Sequence, residues 1–229
     1  MPLENYGLLL LSGLAVTLKL AFLSLALSFV LGLAGASMKL SGGRLARSAG
    51  ALYTTLIRSI PDLVLMLLLF YGIQIGLNDL TDRLGLRQFD IDPFFAGVTT
   101  LGFIYGAYFT ETFRGAFLAV PRGQMEAAFA YGMSRSRVFR RILFPQMMRF
   151  ALPGIANNWL VIVKSTALVS IIGLSDVVKA SQDAGKGTLR LFFFTIAAAA
   201  IYLAITTVSN YALAYLGKRY SIGMRRVLL

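Results

Sequence analysis

The sequence predicts an all-α, polytopic membrane protein: a single domain of five transmembrane helices. Three observations carry that expectation. The 229 residues are 57% hydrophobic and only 14% charged, whereas a soluble domain carries about 25% charged residues. Mean hydropathy is +0.73. Five apolar runs each reach or exceed the roughly 20 residues that span a hydrocarbon core, and the loops between them alternate in charge.

The spans fall at about 8–38, 52–77, 94–120, 150–174 and 189–216. The first is long enough to be tilted or to begin as an interfacial helix. No basic residue precedes it and it is too long for a signal peptide, so it is expected to remain in the mature protein. The first loop carries Lys39, Arg44 and Arg47. The third is rich in arginine, and the tail holds Lys218, Arg219, Arg225 and Arg226. The second loop sets Asp79, Asp82, Asp90 and Asp92 against Arg83 and Arg87, and the fourth sets Asp176 and Asp183 against Lys179 and Lys186. Cytoplasmic loops are enriched in Lys and Arg, so the N-terminus is expected outside and the C-terminus inside. A short helical excursion is expected in the second loop.

The formal charge of +12 raises nucleic acid as a partner, but the basic residues lie between hydrophobic spans and are explained by that topology. There is no cysteine and no histidine, which removes disulfides, thiol nucleophiles, His-ligated metals and histidine acid–base catalysis. No G-x-x-x-x-G-K-[ST] phosphate loop occurs, so any ATP site lies on another chain. A membrane enzyme would need clustered acid–base groups. Asp62, Glu111 and Glu126 are scattered instead. A stand-alone transporter is expected to show an internal inverted repeat, and none is visible.

Ionisable groups inside spans are costly and mark either a pathway or a packed pair. Lys19 fits snorkelling or an internal hydrogen bond. In Arg58-Ser-Ile-Pro61-Asp62, Pro61 presets a helix start and Asp62 suits the positive end of the helix dipole. A substrate contact is the other role for Asp62. Glu111 and Arg114 stand i, i+3 and can pair on one face. Gly97, Gly102, Gly106 and Ala107 permit close helix packing. The fourth span places Asn157, Asn158, Lys164, Ser165 and Thr166 at membrane depth, so it should face the bundle interior or a water-filled passage. Pro153-Gly154 is expected to kink or start it.

The stretch from Pro121 to Pro145, PRGQMEAAFAYGMSRSRVFRRILFP, is too polar to cross a bilayer. Pro121 can open a helix, Gly132 breaks it, Ser134 is placed to cap a second, basic helix, and Pro145 is expected to end the segment. Glu126-Ala127-Ala128, three residues, Gly132, nine residues, Ile142, one residue and Phe144-Pro145 resembles the EAA loop of ABC importer permeases. The family pattern is EAA, three, G, nine, I, one, LP, and Phe144 in place of leucine is the one departure.

Further stretches are similar to the polar amino-acid permeases of that family: TLIRSIPDLVLMLLLFYG, GAYFTETFRGAFLAVPRGQMEAA and VIVKSTALVSIIGLSDVVKA. The likeness runs from about Gly13 to the C-terminus. It is strongest to the Q-type membrane subunit of histidine/lysine/arginine/ornithine importers, in IDPFFAGVTTLGFIYGAYFTETFRGAF and ALPGIANNWLVIVKSTALVS. Opine and arginine/ornithine permeases are similar too.

The resemblance implies a type I ABC importer permease fold and a basic amino-acid substrate. It implies a heterodimer with an M-type permease, two ATPase subunits that carry the ATP and Mg, and a periplasmic binding protein. It makes Glu126 to Pro145 the coupling segment, with Glu126, Ala127, Ala128, Gly132, Arg137, Ile142 and Pro145 at the ATPase. The flanking arginines would meet ATPase carboxylates or anionic membrane lipid. Related permeases often carry an acid after the lysine of the fourth span, where this chain has Ser165. A cationic ligand would then lean on Asp62, on Glu111 or on the partner subunit. Asp62, Met66, Tyr105, Glu111, Ser165 and Thr166 are the expected pathway residues.

Overall fold

The computed structural model describes residues 3–220. Arg225 and Arg226 of the basic tail lie outside them. The described chain is a helical bundle. α1 (Leu3–Ser41), α2 (Arg44–Ser59), α3 (Asp62–Arg83) and α4 (Pro93–Leu118) lead to a loop holding α5 (Arg122–Ala130) and α6 (Arg135–Val138). A π-helical turn (Phe139–Leu143) joins α6 to α7 (Phe144–Ser165), which ends in a 3₁₀ segment (Thr166–Ile172). α8 (Val177–Thr188) and α9 (Leu191–Tyr220) complete it.

α4 is the central helix, packed on α1, α2, α3 and α7. Its core side is built from small and aromatic residues in alternation. A Cβ on Gly102 would run into Leu27, and one on Gly35 of α1 would meet the Thr110 hydroxyl. These glycines let α1 and α4 approach closely, which is how helices associate where lipid removes the hydrophobic drive. Phe29 of α1 then packs against Phe109 and Phe113 of α4, with ring centroids 5.3 and 4.8 Å apart.

Four helical stretches are long and apolar enough to cross a bilayer: Tyr6–Ser41, Asp62–Arg83, Arg135–Ile172 and Leu191–Lys218. α4 has 26 residues, about 39 Å at 1.5 Å per residue, and is long enough too. Threonines, tyrosines and glycines dilute its apolar run. A helix walled by other helices need not be as greasy as one that faces lipid. α3 and α9 are the opposite case: only 11% of each apolar window is covered by the rest of the chain. Their outer faces are left for lipid or a neighbouring subunit.

Several local expectations are corrected. The run 52–77 is divided at Pro61. Ile60 is extended (φ −109°, ψ 139°) and Pro61 continues so (φ −57°, ψ 137°), because a residue before proline is pushed out of the helical region. The second loop has no separate helix; α3 simply runs on through Asp82. It stops where Gly85 (φ 64°) turns the chain back, with Leu86 N–H donating to Thr81 O. Ser134 is the N-cap of α6, but its hydroxyl makes no capping bond. Pro145 opens α7 rather than closing the segment before it, since the first turn of a helix needs no N–H from it. Pro153 lies inside α7.

Candidate functional site

Three helices meet at a buried polar knot. Asp62 begins α3, directly after the Pro61 break. Its Oδ2 accepts a 2.6 Å hydrogen bond from the Tyr105 hydroxyl of α4. That hydroxyl also lies 2.6 Å from Ser165 Oγ at the end of α7. Tyr105 spends its single proton on the carboxylate, so the serine is the donor to Tyr105. Met66, one turn beyond Asp62, is fully buried beside them. Tyr105 is 1% exposed and Ser165 8%, whereas Asp62 is half-buried. Among the described residues no salt bridge reaches Asp62. The knot therefore presents one held carboxylate with an open side.

Glu111 and Thr166 do not join this knot. Glu111 pairs with Lys39 of α1 and, through Oε2, with Arg114 Nε at 2.9 Å. Lys39 also donates to Thr54 of α2 at 2.7 Å. The expected Glu111–Arg114 pair is present, and Lys39 turns it into a clamp across α1, α2 and α4. An open cavity of ≈ 480 Å³ lies against the clamp, bordered by Arg58 and Tyr108. The Arg58 guanidinium stands 5.4 Å from the Tyr108 ring centroid. Thr166 turns the other way, 3.2 Å from the Tyr202 hydroxyl of α9.

The polar residues of the fourth span divide by face. Asn158, Ser165 and Thr166 are buried, and Asn158 Nδ2 donates to Thr112 Oγ1 at 3.2 Å. Asn157 and Lys164 are exposed on the surface of this chain, Lys164 along a crevice between α7, α8 and α9.

The loop from 121 to 145 is an elbow. α5 closes with Gly132 N–H on Phe129 O (2.9 Å) and Met133 N–H on Ala128 O (3.1 Å). Gly132 sits at φ 74°. This is the Schellman arrangement, with glycine in the left-handed position that L side chains avoid. Glu126 and Ala127 are exposed, and Ala128 is buried. Phe129 and Tyr131 are exposed as well, Tyr131 by 89%. Arg137 is exposed on the second arm, and Ile142 is half-buried in the π turn. Gln124 of α5 and Gln146 of α7 are in hydrogen-bond contact and brace the arms.

The profile of the family described as "Binding-protein-dependent transport system inner membrane component" matches residues 28–222. The chain belongs to that family of inner-membrane ABC importer permeases. It is 60% identical over 224 residues to the histidine/lysine/arginine/ornithine transport system permease protein HisQ of Escherichia coli, covering 98% of each chain. It is 36% identical to the octopine transport system permease protein OccQ of Agrobacterium tumefaciens, over 97% of this chain and 94% of that one. A crystal structure of an amino acid ABC transporter with histidines contains a chain that is 33% identical, with a TM-score of 0.81 over 94% of this chain and 96% of its own.

One buried acid of the permease counts in the sequence only as a loop charge and not as a site residue. Asp176 is fully buried. It caps α8, with Oδ1 accepting from Lys179 N–H at 2.9 Å. Oδ2 has no hydrogen bond of good geometry, although the Tyr202 hydroxyl lies beside it. Burial pushes the carboxyl up to about 6, and backbone N–H groups offset only part of that rise. The local signal is an aspartate four residues before Ala180, ahead of a polar helical run. Charge patterning alone makes it loop charge, because the buried face of α8 (Val177, Ala180, Ser181, Ala184 and Gly185) is built mostly of small residues that give little apolar signal.

A native carboxyl that holds its proton more tightly than the unfolded one favours folding at low pH. For Asp176 that advantage is complete below about 4, the unfolded value, and is lost as pH rises through about 6. Asp176→Asn keeps the cap acceptor and removes the buried charge. It is expected to raise stability at pH 8 by roughly 1–3 kcal/mol and to flatten the pH dependence. Thermal unfolding of the purified complex at pH 5 and pH 8 checks this. A variant as pH-sensitive as the wild type would contradict it.

Proposed function

We propose that this chain is the Q-type permease of an ATP-driven importer of basic amino acids. The observation that carries the reading is the 60% identity to a histidine/lysine/arginine/ornithine permease along 98% of the chain. The site supports it chemically. Asp62 offers a carboxylate oxygen to an open side, fixed by Tyr105 and Ser165 and with no cation on it among the described residues. A guanidinium, ammonium or imidazolium side chain completes that pairing. Met66 and Tyr105 are buried beneath it in the core of the bundle.

In this reading the chain pairs with an M-type permease, two ATPase subunits and a periplasmic binding protein. The N-terminus is periplasmic and the C-terminus cytoplasmic. ATP and Mg reside on the ATPase. The exposed face of α5, with Glu126, Ala127 and Tyr131, docks there, and the Gly132 elbow passes ATPase closure to α7 and so to Ser165. Pro145 and Ile142 belong to the rigid second arm. Glu111 stabilises the inner end of the bundle through its clamp.

The test is ATPase activity of the reconstituted complex with its binding protein, across basic, acidic and neutral amino acids and opines. Stimulation by arginine, lysine, ornithine or histidine is expected. Stimulation confined to octopine would transfer the assignment to opines, and absence of an associated ATPase would remove it.

A further inference from the structure

The second arm of the elbow holds an unassigned concavity of ≈ 510 Å³, lined by Ser134, Ser136, Arg137, Arg140 and Arg141. All five side chains are exposed. Among the described residues no salt bridge reaches the three arginines, and the loop's one acid, Glu126, lies on the other arm beyond Gly132. The local backbone explains why the charges converge. Arg137, Arg140 and Arg141 stand i, i+3 and i+4, one helical face. The π-helical turn over Phe139–Leu143 adds a residue to that turn and widens the face. Ser134 contributes a hydroxyl that caps nothing.

The surroundings identify the anion. Arg137, Arg140 and Arg141 fall in the first two turns of the candidate membrane-spanning stretch Arg135–Ile172. Phe144 and Phe139 are 43% and 45% exposed, their ring centroids 6.1 Å apart. Arginines at the end of a span reach the headgroup level of a bilayer, and a cluster of them on the cytoplasmic side attracts anionic lipid; the two exposed phenylalanine rings alongside offer apolar surface to the acyl chains. Guanidinium forks bind phosphate bidentately, and serine hydroxyls add neutral donors. ATPase carboxylates are the competing occupant, but the docking face of α5 lies across the Gly132 corner, and a protein partner there would leave the two rings unburied.

We propose that this concavity binds the phosphate of an anionic lipid headgroup in the cytoplasmic leaflet, and so ties the second arm of the elbow to the bilayer. Arg137, which the family resemblance assigns to ATPase coupling, belongs to this lipid site. The inference rests on the cytoplasmic placement of the loop and not on the identity of the transported amino acid.

The experiment is native mass spectrometry of the intact complex, without amino acid, after exchange into phosphatidylglycerol, cardiolipin or phosphatidylethanolamine. Wild type is expected to retain the anionic lipids over phosphatidylethanolamine. The combined variant R137Q/R140Q/R141Q is expected to lose that preference by on the order of a hundredfold, from about fivefold for each arginine near an anionic surface. The variant R137K/R140K/R141K, which keeps the charge but not the bidentate fork, is expected to fall between wild type and the glutamine variant and controls for folding. Equal retention by wild type and the glutamine variant overturns the proposal. Displacement of the lipid by millimolar inorganic phosphate alone overturns the lipid as occupant. Loss of the ATPase subunit with lipid retention unchanged assigns the arginines to the ATPase instead. A complex that binds lipid as expected but responds to another amino acid would overturn the substrate assignment and leave this site standing.

Discussion

Asp62→Asn is expected to lower uptake of basic amino acids by roughly 10- to 150-fold, the range of about 1.5–3 kcal/mol for a hydrogen bond to a charged group. Asparagine fits the same space and can still accept from Tyr105, so the α3–α4–α7 junction should survive. What is lost is the charge on the one knot member with an open side. Tyr105→Phe is milder. It keeps the buried ring but frees Asp62 and Ser165 from their common partner, and a loss of about tenfold follows from one such bond. The informative control is a residual neutral substrate, whose uptake should change little with Asp62→Asn. Uptake of arginine within about twofold of wild type, in a complex that assembles normally, would remove Asp62 from the pathway. A parallel fall for neutral and basic substrates would make it a structural residue.

That contrast separates Asp62 from Glu111, which the sequence ranks beside it. Both are acids in spans, and hydropathy cannot tell them apart. The distinction lies in a residue 72 positions away: Lys39 reaches Glu111 only because Gly32 and Gly35 bring α1 against α4. Pairings between distant spans leave no periodic trace. The legible features are local. Apolar run length locates the membrane helices, and loop charge marks the two kinds of loop. The spacing from Glu126 to Pro145 locates the elbow. Pro61 announces both the break and the start of α3, yet apolar residues on either side make 52–77 look continuous. α8 is hidden because its twelve residues are mostly polar or small and lie between two spans. Pro145 is ambiguous because proline marks a helix start as readily as a helix end, and only the uninterrupted backbone from the π turn into α7 decides between them.

The elbow carries the second large effect. A Cβ placed on Gly132 would meet nothing within 4 Å, so space is not what requires glycine there; its φ of 74° is. A β-branched side chain in that region costs about 1–2 kcal/mol or more, enough to release the two bonds that close α5 onto Ala128 and Phe129. Gly132→Val is therefore expected to cut transport at least about tenfold without disturbing the Asp62 knot. Asparagine tolerates the left-handed conformation, so Gly132→Asn should keep most of the activity although it adds a larger polar side chain. The discriminating readout is transport per ATP hydrolysed. If the elbow transmits ATPase closure to α7, the valine variant retains basal hydrolysis but loses its stimulation by loaded binding protein, and asparagine restores it. Equal behaviour of the two variants would mean that backbone conformation at Gly132 is not what couples the subunits, and the brace between Gln124 and Gln146 would then be the next contact to break.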